Sequence, residues 1–142
     1  MKDNDAIVEE FYATINEKIT RKESISQDEQ AFYHVFSLYE ESNSSASLEQ
    51  FFRWSNPQVA QQILTHLHNT QLSEVAVIVE DAIKIAFPSG IPDDAEAYSG
   101  CTYWTEIQEA KLSALFERFM LFNGLIIDKL AAFIELKKLQ KI

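Results

Sequence analysis

His66 and His68, with Glu74 close behind, are the residue types of a metal site. Their spacing argues against one. Helical residues two apart point about 200° apart, so the pair cannot close on one tetrahedral ion as i,i+4 ligands do. His66 is instead expected to face solvent and His68 to lie near a helix end. Cys101 and His34 are the types of a nucleophile and its base. The setting Ser99-Gly100-Cys101-Thr102 carries no nucleophile motif, and a lone cysteine more often behaves as a small hydrophobe. Paired carboxylates recur at Glu9/Glu10, Glu40/Glu41, Glu80/Asp81, Asp93/Asp94 and Glu106/Glu109. Acid–base catalysis needs two carboxylates in unlike environments around a pocket, whereas adjacent acids on amphipathic helices share a solvated face. The sequence holds no Glu-x-x-His pair for a di-metal bundle. The expectation is a protein that is not an enzyme, with no catalytic, cofactor-binding or metal-binding residues and no cofactor.

The elements that must position these residues read as helices. The chain has 142 residues, 46% of them hydrophobic and 12% aromatic, which suits one domain over residues 1–142 with a sizeable core. Only 3 Gly and 3 Pro leave few tight turns, so sandwiches and Gly-rich nucleotide loops are poor candidates. Ile7, Val8, Phe11, Tyr12, Ile15 and Ile19 fall on one helical face, closed by Lys18, Arg21 and Lys22. Ser26-Gln27-Asp28-Glu29 is a capping-box sequence before Phe32, Val35, Phe36 and Tyr39. The stretch 42–47, SNSSAS, reads as a polar connector, and Ser47 as the start of a short helix ending near Trp54. Asn56-Pro57 is a strong restart, and Ser73 is the expected cap of the next helix.

Residues 74–80, EVAVIVE, also alternate like a strand, but fifteen residues without Gly or Pro favour a helix. Phe87-Pro88-Ser89-Gly90-Ile91-Pro92 is the clearest break, followed by a short helix or loop around Asp93, Asp94 and Glu96. A long helix from about 105 to 122 presents Ile107, Leu112, Leu115, Phe116, Phe119 and Met120. Asn123-Gly124 interrupts it before a last helix to about 140, which ends on Lys137, Lys138 and Lys141. The fold class is an all-α bundle of six to seven helices.

Charge is unevenly placed. The formal net charge is −10, and residues 23–110 hold 14 of the 22 acids with only Arg53 and Lys84 as bases. Free nucleic acid and anionic membrane are therefore poor partners, and a basic protein surface is the natural complement. The closing helices lean basic, so a homodimer that joins them to the acidic middle of a second copy is compatible with the layout. No run approaches the roughly 18 apolar residues of a membrane span, and residues 1–11 lack a signal-like apolar run. One cysteine forms no internal disulfide, so the expected location is the cytoplasm.

Phe51, Phe52 and Trp54 crowd around Arg53 in residues 47–58, SLEQFFRWSNPQ. A base-stacking platform needs a positive groove, which this stretch lacks, so all three aromatics are expected to fill the core. The run LEQFFRWSN (48–56), the stretch VEDAIKIAFPSGIPDD (79–94) and LFERFMLFNGLIIDKLAAFIE (115–135) resemble a bacterial family of all-helical domains of unknown function. Its named member is a DNA-mimic protein. The family pattern Asn-Gly-Gly-Phe-x-Gln-Phe-Phe is matched by Gln50, Phe51 and Phe52. Leu48 stands at the aromatic position, and Ser45-Ala46-Ser47 replaces Asn-Gly-Gly. The similarity covers about residues 32–136.

The resemblance implies a helical domain whose surface carboxylates stand in for phosphates. Helical positions i and i+4 rise about 6 Å, comparable with two duplex steps of roughly 3.4 Å each. The expected function is a non-enzymatic acidic module that occupies the basic surface of a DNA-binding protein. The acids expected to form its face are Glu40, Glu41, Glu74, Glu80, Asp81, Asp93, Asp94, Glu96, Glu106 and Glu109. Two other readings are compatible with the sequence. One is a toxin-neutralising or accessory protein with mainly apolar contacts, anchored by an exposed Tyr98, Tyr103 or Trp104. The other is an enzyme with an unrecognised pocket.

Overall fold

The computed structural model describes residues 3–137 and Leu139, so Lys138 and Lys141 of the expected basic ending lie outside the described residues. Helices dominate: α1 (Asn4–Thr20), α2 (Gln27–Ser45), α3 (Glu49–Trp54), α4 (Pro57–Asn69), α5 (Ser73–Ala86), α6 (Ala95–Gly100), α7 (Glu106–Phe119) and α8 (Asn123–Leu136). A 3-10 turn at Met120–Phe122 joins α7 to α8, and no strand occurs among the described residues. Six helices are long and two are short, the all-α class the periodicity predicts. Residues 74–80 are helical because Val75, Val79, Ala82 and Ala86 form a stripe that packs inward.

Most starts follow from local chemistry. Asp3 caps α1 by accepting from the Ala6 amide, and Asn56 caps α4 from Val59, with Pro57 at the first helical position. The Ser26/Glu29 capping box forms as read, and Lys18 reaches Glu29 at 2.7 Å, tying the end of α1 to the start of α2. A second capping box, Thr105/Gln108, starts α7. Ser73 does not cap α5. Its hydroxyl lies 2.9 Å from His68 Nδ1, and the N-cap position belongs to Leu72.

Two boundaries differ from the sequence reading. The polar stretch 42–47 is mostly helix, because α2 continues through Ser45. Ser44 and Ser45 turn their hydroxyls back onto the Glu41 carbonyl, so serines that favour loops are absorbed into the last turn. Nor does Asn123-Gly124 break the chain. Asn123 pairs reciprocally with Asn43 of α2, at 3.2 and 2.7 Å, and that anchor starts α8 one residue before the glycine.

α2 is the hub, packing on α4, α3, α8 and α1, while α5 lies against α7 and α1 against α8. One apolar cluster runs from Val8 in α1 to Ile134 in α8. Phe51 and Phe52 are buried in it, as expected. Phe52 meets Phe87 edge-on at 5.6 Å, Phe87 stacks on Tyr98 at 5.2 Å, and the Tyr98 hydroxyl donates to the Phe52 carbonyl. Trp54 is the exception: it stands 70% exposed at the end of α3. A six-residue helix has only one buried stripe, and Phe51 and Phe52 take it.

Candidate functional site

The ten acids fall into two groups. Eight ride on α5, α6, α7 and the link before α6. Glu74 opens α5, while Glu80 and Asp81 follow further along the same helix. The end of α5 is fastened to the start of α7: Gln108 Nε2 donates to the Ile85 carbonyl at 2.9 Å and Trp104 Nε1 to Ala86 at 3.0 Å. Those bonds satisfy carbonyls that a helix end leaves without partners. They also set Glu106 and Glu109, in the first turn of α7, beside the break that leads to α6. Asp94 caps α6 through the Ala97 amide, Glu96 lies in its first turn, and Tyr98 roots it in the core. Asp93 is held from α4, accepting from Gln61 Nε2 at 2.8 Å.

Glu74, Glu80, Asp93, Asp94, Glu96 and Glu106 are exposed, and Asp81 and Glu109 are half-buried. Among the described residues, ion pairs engage only two of the ten. Glu80 lies 3.5 Å from Lys84 one turn along α5, and Asp81 lies 3.8 Å from Arg118 of α7. Such solvent-facing pairs neutralise charge only weakly.

Glu40 and Glu41 belong to the second group, on α2. Partial burial, and then the Glu9 carboxylate of α1, raise Glu40 above the ordinary range. Burial alone pushes half-buried Glu41 up to about 7. Glu9 was not among the expected face residues. Cross-helix proximity to Glu40 leaves no trace in local spacing, so sequence alone could not pair them.

The histidines depart from expectation. His66 is buried rather than solvent-facing, and stacks on His34 of α2 with ring centroids 5.6 Å apart. Neither of its ring nitrogens has a hydrogen-bond partner. Position on α4 decides this: His66 follows Ile63 by three residues and precedes Leu67, on the stripe that meets the core. His68 is exposed at the end of α4, as expected. Among the described residues, no three His, Cys, Asp or Glu side chains are grouped to hold a metal ion. Cys101 is exposed at the end of α6, whereas His34 lies on α2.

Of the aromatics expected as exposed anchors, Tyr98 is buried, Trp104 is half-buried and Tyr103 is 88% exposed. No described helix is long and apolar enough to cross a membrane.

The fold and this surface define an all-helical bundle that presents carboxylates from several helices. Residues 23–137 match the model of the DMP19-like protein family, and the chain belongs to that family, one of DNA-mimic proteins. The match begins nine residues before the stretch that carried the resemblance, at the turn into α2. No curated protein and no solved structure matches the chain.

Proposed function

We propose that this chain is a non-enzymatic protein-binding module that acts as a DNA mimic, its carboxylates occupying the basic surface of a DNA-binding protein. The observation that carries the reading is the set of exposed acids on α5, α6 and α7, mostly without a cation partner, in a member of a DNA-mimic family. A basic groove that releases counterions to bind duplex would gain the same release against such a surface.

Two cavities described among these residues lack a catalytic arrangement. A groove of about 640 Å³ beside the end of α8 is lined by one acid, Glu135, and no histidine. A smaller one, about 430 Å³, holds Asp3, Asp5 and Asp128, all exposed and so lacking the unlike environments that acid–base work requires.

The test is capture from a host lysate on the immobilised protein, with elution by stepped salt and then by duplex DNA. A DNA-binding protein should be released by salt and displaced by DNA. The variant Glu74→Lys, Glu96→Lys, Glu106→Lys should lose that partner while keeping its helical circular dichroism. A partner that is indifferent to duplex, or that still binds the folded variant, would reject the reading.

A further inference from the structure

Three large apolar side chains that the fold leaves in solvent are near neighbours in the chain of one contact. Arg53 of α3 lies over the Trp104 ring, its Cζ 5.3 Å from the centroid. Trp54, 70% exposed, follows Arg53 in the chain, and Tyr103, 88% exposed, precedes Trp104. Ile107, 69% exposed, lies one turn further along, at the start of α7. The two stacked residues are themselves fixed. Trp104 is anchored by its indole N–H on Ala86, and Arg53 by Glu49 at 3.6 Å. Their aromatic neighbours are left unoccupied by any ring or cation contact among the described residues.

Carboxylates lie on the same stretches of chain: Glu106 and Glu109 in the first turn of α7, just after Trp104, and Glu96 in α6. Arg53 is the base already at this place and is paired with Glu49; Lys111, one turn beyond Ile107, is the nearest base along α7, so Glu106 and Glu109 leave an acidic excess at the start of that helix. A ring face beside free carboxylates complements a guanidinium in both its parts. The carboxylate accepts from the planar fork, and the ring takes the face of the cation. The internal Arg53–Trp104 stack shows that this part of the surface already accommodates that geometry.

We infer that Tyr103 and Trp54, adjoining the Arg53–Trp104 stack in the chain, seat with Glu106 and Glu109 an arginine side chain of the basic partner. The inference rests on the acidic-surface reading and sharpens it. Carboxylates already favour arginine modestly through its planar fork, and the ring face adds a further preference that is lost when the rings are removed.

The test is fluorescence anisotropy of the whole protein with labelled oligo-arginine and oligo-lysine peptides of equal length at low salt. The arginine peptide should bind about three- to five-fold more tightly, the gain of one exposed cation–π contact. The Tyr103→Ala, Trp54→Ala variant should lose this added preference while retaining its affinity for the lysine peptide and its melting temperature. Equal binding of the two peptides by the unsubstituted protein, or a preference undiminished by the double substitution, overturns the arginine seat. The Glu106→Lys, Glu109→Lys variant separates the two readings by weakening both peptides together. If both peptides bind equally and this variant weakens both, only the aromatic seat fails. If neither peptide binds, the acidic-surface reading falls with it.

Discussion

At the scale of single residues, α2 carries two titrating groups with opposite effects on stability. Burial, and then the neighbouring His66, lower His34 from 6.5 to about 4, and burial lowers His66 as well. Tyr33 packs edge-on against His34, and no carboxylate contributes to either shift. Below the ordinary histidine value the unfolded chain takes up protons that the folded chain refuses, so this pair costs stability as pH falls from 6.5 toward 4.

Glu41 runs the other way. With its folded value raised to about 7, it favours the fold in acid and loses that contribution as pH rises through 7. Glu41→Gln should therefore stabilise the protein at pH 8, on the order of 1 kcal/mol after a discount for solvent screening, and change little at pH 5. Urea midpoints at the two pH values check this. The His34→Phe, His66→Phe variant should flatten the decline between pH 6.5 and 4, with the ring stack preserved; an unchanged slope would assign the decline to other groups.

At the scale of elements, three helices end in a left-handed residue that is not glycine. Lys22, Ala46 and Gln71 have φ of 59°, 55° and 63°. Each is followed by an amide bonded to a carbonyl five residues back: Glu23 to Lys18, Ser47 to Ser42 and Leu72 to Leu67. These bonds are the closing link of a Schellman cap, a place that glycine fills at least steric cost. Ala46 has no side-chain hydrogen bonding to offset its conformation. Left-handed backbone costs an L-residue roughly 1–2 kcal/mol, and glycine gives back roughly 0.5–1 kcal/mol in unfolded-chain entropy. Ala46→Gly should then stabilise by up to about 1 kcal/mol, a rise of roughly 2–4 °C in melting temperature for a chain of this size.

The same stretch shows how far the elements were legible. Apolar periodicity located the long helices, and the Ser26/Glu29 and Asn56-Pro57 signals located two starts, because those bonds are local. The end of α2 was misread because serine composition favours loops, whereas the structure bonds those hydroxyls back onto the helix. The start of α8 depends on Asn43, eighty residues away, and no local rule can see that partner.

At the scale of the whole molecule, the acidity was legible and its arrangement only partly so. The excess of acids over bases in residues 23–110 is a property of sequence, and so is the amphipathic placement of Glu74, Glu80 and Glu106 on solvent faces. That α5, the link before α6, α6 and α7 bring eight of the acids to neighbouring elements required the bonds from Gln108 and Trp104 to the end of α5. His66 and Trp54 exchanged their expected places for a common reason. Periodicity assigns a residue to a stripe, and the neighbouring helices decide whether that stripe is covered.

Cys101 is exposed at the end of α6, two residues before Tyr103, and it is the sequence's one thiol. The chain therefore carries a natural reporter position at the edge of its proposed contact surface. A maleimide-linked environment-sensitive dye should react there with single stoichiometry in the folded protein. Its emission should shift when the oligo-arginine peptide is added and stay constant for the Tyr103→Ala, Trp54→Ala variant, turning a silent binding event into an optical one.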